Sequence, residues 1–426
     1  MMRSSEHTTD TPRSEIDEKK SPDVLPNYEE APDGGVRAWL VAAGGASLFF
    51  CCLGFANSFG TFEEYYLSHQ LRGQSPDNVA WIGSLAAFLQ FATGSIAGPL
   101  FDRYGAWTIR PAGVTYVFAM MMLSLCKVYW QIMLVQGVLM GVVSGFIQFP
   151  ALPAVSQWFD KKRAAALGIA ATGSSVGGII IPIALSKMLN SSSLGFGWSV
   201  RIIGFLIMPI MAFACLTVKP RLPPSTSPFW IPSALTESKF VLMIVSLFFM
   251  FIGMFFPMFY IPSYAVSRGM SATLSGYLLA ILNAASTFGR IIPGILADKV
   301  GRLNAFVAGG IATGIVILCF NLATTNAGLI VYSVVIGFTS GAIFSAGAAA
   351  FTLCPKDPRD MGTYMGMGMA LSSFATLIGP PVNGALIKHY GGYSEASIFS
   401  GVMCLTGGIF ALAAKAMTPQ GILGRA

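Results

Sequence analysis

Apolar residues run in long unbroken blocks along this chain, and polar residues gather between them. About twelve blocks of 18 residues or more stand out, near 37–61, 79–101, 108–127, 130–156, 164–188, 197–218, 240–263, 272–297, 304–323, 328–353, 361–388 and 394–417. Each is long enough to cross roughly 30 Å of hydrocarbon as an α-helix. The period-2 alternation of a membrane β-barrel is missing. The pattern therefore predicts an all-α membrane protein with twelve transmembrane helices. Composition agrees, since 54% of the 426 residues are hydrophobic and only 11% charged, whereas a soluble chain is roughly a quarter charged.

The cations between the blocks set an orientation. With the N-terminal tail on the cytoplasmic side, the inner loops carry Arg103, Arg110, Lys161, Lys162, Arg163, Lys219, Arg221, Lys239, Lys299, Arg302, Lys356 and Arg359. The outer loops carry only Arg72, Lys127, Lys187, Arg268 and Lys388. This excess places both termini inside. The net charge of +7 then reflects anchoring at the inner leaflet. A nucleic-acid reading has no basic soluble domain to rest on.

Residues 1–35 read as a disordered cytoplasmic tail, polar and poor in large apolar side chains. With no signal-peptide core in that tail, the first span is expected to target the chain to the membrane. Within it, Leu25, Pro26, Asn27 and Tyr28 form a short pattern that a WW-type ubiquitin-ligase domain can dock on, with Lys19 and Lys20 as nearby acceptors. Chance accounts for such four-residue patterns more often than docking does.

Enzyme chemistry finds no footing. The chain has no G-x-x-x-x-G-K-[ST] loop for ATP. Its three histidines, His7, His69 and His389, are too scattered to serve one metal or one active site. The seven cysteines lie within or at the ends of apolar blocks without ligand spacing and read as small apolar residues. No metal and no cofactor are expected.

The chain repeats itself. The segments GPLFDRYG at 98–105 and GILADKVG at 294–301 both read G-x-L-x-D-[RK]-x-G, 196 residues apart. Gly168, Ser174, Ser175 and Pro182 likewise stand 198 residues before Gly366, Ser372, Ser373 and Pro380. Two six-helix bundles follow, at 36–218 and 239–417, joined by a cytoplasmic loop at 219–238 and ending in a short tail at 418–426. Parallel repeats of this kind suit a rocking carrier. In the repeated motif Gly98, Gly105, Gly294 and Gly301 permit tight helix ends, Asp102 and Asp298 accept hydrogen bonds at the cytoplasmic mouth, and Arg103 and Lys299 hold the loops on anionic headgroups. The expectation is a gate latch, away from any substrate.

The paired motif resembles the signature of the major facilitator superfamily, which implies the major facilitator fold and transport by alternating access. Two further stretches resemble motifs of its monocarboxylate-porter family, in a fungal-type branch. One is DGGVRAW at 33–39, with Asp33, Gly34, Gly35 and Trp39, which has one extra residue before the tryptophan. The other is WFDKKRAAALGIAATGSSVG at 158–177, with Arg163, Gly168, Gly173 and Gly177. Physically, Asp33 is expected to cap the first helix, Trp39 to lie in the headgroup belt, and the Gly173/Gly177 pair to permit close helix contact.

Candidate chemistry lies with polar residues at membrane depth. Arg290 is the one cation well inside a span, about 12 Å from Asp298 along the helix; Arg201 begins its span and can snorkel. An intramembrane charge normally faces a wet cavity and binds something. No span centre holds a carboxylate to pair with Arg290, so direct binding of an anionic substrate is the leading expectation, with a structural partner such as backbone carbonyls as the alternative. In monocarboxylate porters the matching arginine is regarded as the carboxylate binder. The family's proton-handling aspartate and lysine correspond here to Ser286 and Asn57, which puts the usual proton symport in doubt; Glu63 and Glu64 are the remaining proton-coupling candidates. Further cavity candidates are Ser58, Gln90, Gln148, Asn283 and Tyr260, with Tyr332, Tyr364, Phe146 and Phe374 as an aromatic wall. Ordinary helix packing competes for each of them.

The resulting expectation is a carrier of an organic anion, a monocarboxylate or a larger acidic metabolite, in the plasma membrane. Its partners are the anion, the bilayer and, in one version, protons. Facilitated efflux or exchange is favoured. Proton-coupled uptake is the alternative, while a non-transporting sensor, which would carry a long signalling tail, and a channel are the readings from other classes.

Overall fold

A computed structural model describes residues 31–74, 76–190, 193–421 and 424. Tyr28 and its docking pattern lie outside the described residues. Helices account for nearly all of the fold, and there is no strand among the described residues. This is what hydrocarbon demands, because each backbone polar group must be satisfied within its own segment.

Helix α1, Val36–Gln70, passes through π-helical turns at Phe50–Gly54 and Tyr66–Gln70. α2 comprises Pro76–Ala92 and Gly94–Tyr104, interrupted at Thr93, and is followed by α3, Ile109–Leu123, and α4, Tyr129–Ser156. α5, Arg163–Asn190, and α6, Gly195–Thr217, complete the first half. The second half holds α7, Ser238–Ser267; α8, Ala272–Val300; α9, Arg302–Leu318; α10, Asn326–Phe351; α11, Met361–Tyr390; and α12, Ser394–Ala416. By length and apolar composition, ten stretches among the described residues qualify as membrane spans. Asn78–Leu123 is one of them, although a 3-10 turn at Gly105–Thr108 divides it, and the 17-residue α9 is apolar but shorter. The protein is a multi-pass membrane protein.

The two halves meet along two seams, α5 against α8 and α2 against α11. Glycine makes both possible. A Cβ on Gly98 would overlap the Gly362 carbonyl, and one on Gly294 would lie 2.8 Å from the Ala164 carbonyl. Likewise a Cβ on Gly366 would overlap the Gly94 carbonyl, and one on Gly168 the carbonyl of Arg290. These contacts are related by the repeat read in the sequence: 98 to 294 and 94 to 290 are steps of 196, while 164 to 362 and 168 to 366 are steps of 198. Arg290 therefore occupies in the second half the place that Gly94 occupies in the first. Within the first half, a Cβ on Gly173 would overlap the Ala46 carbonyl, and Gly177 meets Gly54, so the glycine pair brings α5 onto α1 as expected.

Candidate functional site

Arg290 sits in the α5/α8 seam with 6% of its surface exposed. Its guanidinium donates to the Ala171 carbonyl and the Ser174 hydroxyl of α5, and lies 4.9 Å from the centre of the Phe344 ring on α10. Its Nε has no partner. Among the described residues, no ion pair includes Arg290. The charge is thus held by a carbonyl, a hydroxyl and an aromatic face, all neutral groups.

The polar residues around it come from three helices. Asn57 Nδ2 on α1 donates to the Ser174 carbonyl at 3.4 Å. A Cβ on Gly178 would lie 2.7 Å from Asn57 Nδ2 and 3.2 Å from the Asn283 side chain, so α5 brings Asn57 and Asn283 together because residue 178 has no side chain. Asn57 follows directly on the irregular stretch of α1 that begins with the π-helical turn at Phe50–Gly54, and Tyr116 Oη donates 3.0 Å to the Cys51 carbonyl within that turn. Such turns re-aim the residues that follow them. Ser286, one turn before Arg290, has a buried hydroxyl with no partner. Asn57, Asn283, Ser286 and Arg290 therefore form one group, with two of its buried polar atoms unsatisfied.

Other expected site residues lie elsewhere or are already engaged. Gln148 accepts from Gln90 Nε2 at 2.6 Å, tying α4 to α2. Tyr260 Oη donates to the Pro380 carbonyl at 3.0 Å, tying α7 to α11. Ser58 is engaged within its own helix, its Oγ donating to the Gly54 carbonyl at 3.4 Å. Tyr364 Oη donates to Glu237 Oε1 at 3.3 Å just before α7, and its ring packs against Phe240 with centres 5.0 Å apart. Phe374 packs against Phe88 across the α2/α11 seam. Glu63 is half-buried and Glu64 exposed on α1. Arg201 Nε donates to Ser124 Oγ at 3.0 Å beside Trp198, at the start of its helix.

The repeated motif forms two related latches. Asp102 accepts from the amides of Gly362 at 3.0 Å and Thr363 at 2.6 Å and from the Thr363 hydroxyl at 2.8 Å. Asp298 accepts from the amides of Ala164 and Ala165, both at 2.9 Å. Each aspartate thus caps the first turn of a helix from the opposite half, where amides lack intrahelical partners and the dipole favours an anion. Gly105 at φ 60° and Gly301 at φ 116° end the helices behind them, in backbone conformations that strain side-chain-bearing residues. Lys299 is exposed. Arg103 departs from the headgroup role expected of it: it donates to the Ser227 carbonyl at 2.9 Å and lies over the Phe229 ring.

The two stretches read separately as family motifs dock on one another. Asp33 Oδ1 accepts from the amides of Asp160 at 2.7 Å and Lys162 at 3.2 Å, and so caps the loop before α5. This corrects the expectation that it caps α1, whose N-cap position is Gly35 with no side-chain cap. Trp39 packs on Phe159 with ring centres 5.0 Å apart, and Arg37 lies over Trp158. Arg163 pairs with Asp160 at 3.2 Å.

This geometry belongs to a known family. The profile of the Major Facilitator Superfamily matches residues 44–324 and 285–421. The chain belongs to the Major Facilitator Superfamily. It is 47% identical over 400 residues to an aspyridones efflux protein of Emericella nidulans, across 94% of this chain and 82% of that one. It is 38% identical over 397 residues to an agnestins efflux protein of Paecilomyces divaricatus, across 92% of this chain and 90% of that one. Among solved structures, the superfamily transporter FucP in its outward conformation superposes with a TM-score of 0.69 at 17% identity, covering 89% of this chain and 99% of that one. The human organic anion transporter TETRAN gives 0.66 at 13% identity, covering 89% and 100%. At such identities the likeness shows the fold alone. The chain is a superfamily transporter of small molecules, not an enzyme.

Sequence reasoning missed Ser174 and Ala171 as the groups that hold Arg290, and Phe344 beneath it. Ser174 carried a signal, since it is one of the residues repeated at 198. Ala171 contributes only its carbonyl, which no side-chain pattern reveals.

Proposed function

We propose that this superfamily member exports an acidic metabolite, in the manner of a monocarboxylate-porter relative, and that Arg290 binds the anionic group. The observation that carries this reading is a buried guanidinium between the halves with no carboxylate partner and an unsatisfied Nε. A substrate carboxylate offers the charge-assisted bonds that a carbonyl and a hydroxyl only approximate. Asn57, Asn283 and Ser286 would surround the same ligand. Two of its relatives are named for efflux, which supports export.

In this proposal twelve helices cross the plasma membrane as two six-helix bundles, with both termini cytoplasmic. On this reading the aspartate latches close the cytoplasmic mouth of an outward-facing state. Rocking breaks both latches, opens the α5/α8 seam and frees Arg290 from Ala171 and Ser174 for inward-facing capture of cargo.

Electrostatics favours exit. Among the described residues Arg290 is the one cation buried away from a helix end, so an empty site carries about +1 and a site holding a monoanion is near neutral. A unit charge crossing the full field is worth roughly 2.3 kcal/mol per 100 mV, so an inside-negative membrane drives the return of the empty carrier that leaves net anion outside. The test is flux of a labelled organic anion in proteoliposomes, with voltage set by valinomycin and pH set independently. Saturable flux that follows voltage, ignores pH and falls at least ten-fold in Arg290→Ala is the expected result. The second reading, proton-coupled uptake, draws on half-buried Glu63. Uptake driven by external acid and lost in Glu63→Gln or Glu64→Gln would establish it in place of export.

A further inference from the structure

The loop at 219–238 does more than connect the halves. Its segment around Ser225 lies as a strap across the cytoplasmic end of the α2/α11 seam. Ser225 N donates to the Asp102 carbonyl at 2.8 Å, Arg103 donates to the Ser227 carbonyl at 2.9 Å, and Trp230 Nε1 donates to the Ser95 carbonyl at 2.9 Å. All three tie the strap to α2. On the other side, Ser225 Oγ and Ser227 Oγ donate to the two carboxylate oxygens of Asp360, at 2.6 and 2.9 Å. Asp360 is buried and immediately precedes α11. The two serine hydroxyls are thus the strap's described bonds to the second half.

We infer that Ser227 is a phosphorylation site for a proline-directed protein kinase, and that its modification releases the strap from α11. Pro228 follows Ser227 directly, and Pro223 and Pro224 precede it. Together they keep the segment out of helix, and it has no regular structure from 224 to 231. Thr226 and Pro228 are exposed and Ser227 is half-buried, so an extended segment is available to a kinase groove. The kinase moves the γ-phosphoryl group of ATP to Ser227 Oγ, whose proton leaves to solvent while ADP departs.

The consequence follows from the two neighbours of that oxygen. Phosphoserine has lost the hydroxyl proton that bonded Asp360, and it brings a charge of about −1.5 to −2 against that carboxylate. Arg103, already on the Ser227 carbonyl, offers the new phosphate a cation on the α2 side. Repulsion from one half and attraction to the other cut the bridge between them while the strap stays on the first half. The closed cytoplasmic mouth loses one of its supports, and the population shifts towards the inward-facing state.

This inference rests on the reading that the loop faces the cytoplasm, and its test separates the two. The purified full chain in detergent, where both faces are open, is incubated with a proline-directed serine/threonine kinase and ATP, and the tryptic peptide 222–239 is examined by mass spectrometry. Phosphate on Ser227, absent in Ser227→Ala, is expected; no phosphate on Ser227 overturns the site and leaves the orientation standing. Spin labels at Tyr104→Cys and Lys356→Cys, both exposed positions, then report the width of the mouth. Phosphorylation is expected to raise the separated population at least five-fold, and Asp360→Asn to remove at least half of that rise. Unchanged label distances in fully phosphorylated protein overturn the release. In cells expressing the protein, added kinase is expected to reach Ser227 only after permeabilisation. Modification of intact cells would overturn both the orientation and the physiological role of the site.

Discussion

The two seams between the halves are built on one plan and equipped differently. Both place glycine against backbone and an aspartate against the first amides of the opposing helix. At α2/α11 the latch is neutralised by hydrogen bonds: Asp102 takes the Thr363 hydroxyl besides two amides, and a strap covers it. At α5/α8 it is neutralised by charge, with Arg302 Nε 3.7 Å from Asp298 and both Arg302 and Arg163 near Asp160. Deeper in the membrane the difference is larger still. The place of Gly94 in one seam is taken by Arg290 in the other. On the proposed function, the duplicated frame leaves one seam as a hinge contact and lets the other carry the chemistry, so that symmetry supplies the motion and the departure from symmetry the site.

The largest effect expected from breaking this asymmetry is at Arg290. Arg290→Ala is expected to lower saturable anion flux roughly 10- to 150-fold, the equivalent of 1.5–3 kcal/mol for hydrogen bonds to a charged group, with the protein still folded and in the membrane. Arg290→Lys is expected to recover little of it, because a point charge lacks the planar fork. Flux in proteoliposomes measures both, and normal transport by Arg290→Ala would remove the functional half of the comparison.

Adding a methyl group to either seam tests whether they differ in kind. Gly98→Ala and Gly168→Ala each force a Cβ onto an opposing carbonyl, at a cost of about 1–3 kcal/mol to the closed state. Gly98→Ala is expected to change the maximal rate alone. Gly168→Ala presses on the Arg290 carbonyl and is expected to raise the half-saturation concentration as well. Equal effects on both parameters in the two variants would contradict the division of labour.

The latches rank next. Asp102→Asn and Asp298→Asn are both expected to lower the maximal rate with little change in half-saturation, because neither touches the Arg290 group. Asp102→Asn is expected to have the greater effect: both aspartates use both carboxylate oxygens, but Asp102 holds the Thr363 hydroxyl besides two amides, and each lost bond costs about 0.5–1.5 kcal/mol. A large loss of affinity at an unchanged maximal rate would show that the latch senses cargo.

The smallest effect is that of salt. Raising the ionic strength from 0.1 to 1 M shortens the screening length from about 10 to about 3 Å. The pairs of Asp160, itself exposed, with the largely covered Arg163 and Arg302 are expected to weaken by less than about 1 kcal/mol, loosening α5/α8 and leaving α2/α11 unchanged. Paired spin labels across each seam would show it, and equal loosening of both would refute the electrostatic difference.

Much of this was legible in one dimension. Apolar blocks longer than a bilayer is thick leave helices as the answer wherever the chain crosses it, and the repeat of G-x-L-x-D-[RK]-x-G identified Asp102 and Asp298 as equivalent. Arg290 stood out because charge is costly in hydrocarbon wherever the chain folds. These properties depend on local composition and spacing. The partners did not show, because they are chosen across the fold. The carbonyl of Ala171 that receives Arg290 looks the same in sequence as any other, and nothing in DGGVRAW says that Asp33 will cap a loop more than a hundred residues away. The attachment of Ser225 and Ser227 to Asp360 depends on where an irregular, proline-rich segment comes to rest. Sequence determined which groups could not remain in lipid unsatisfied; only the tertiary structure decided which groups satisfy them, because hydrogen bonds are short and directional and the glycine contacts set which backbones come close enough to make them.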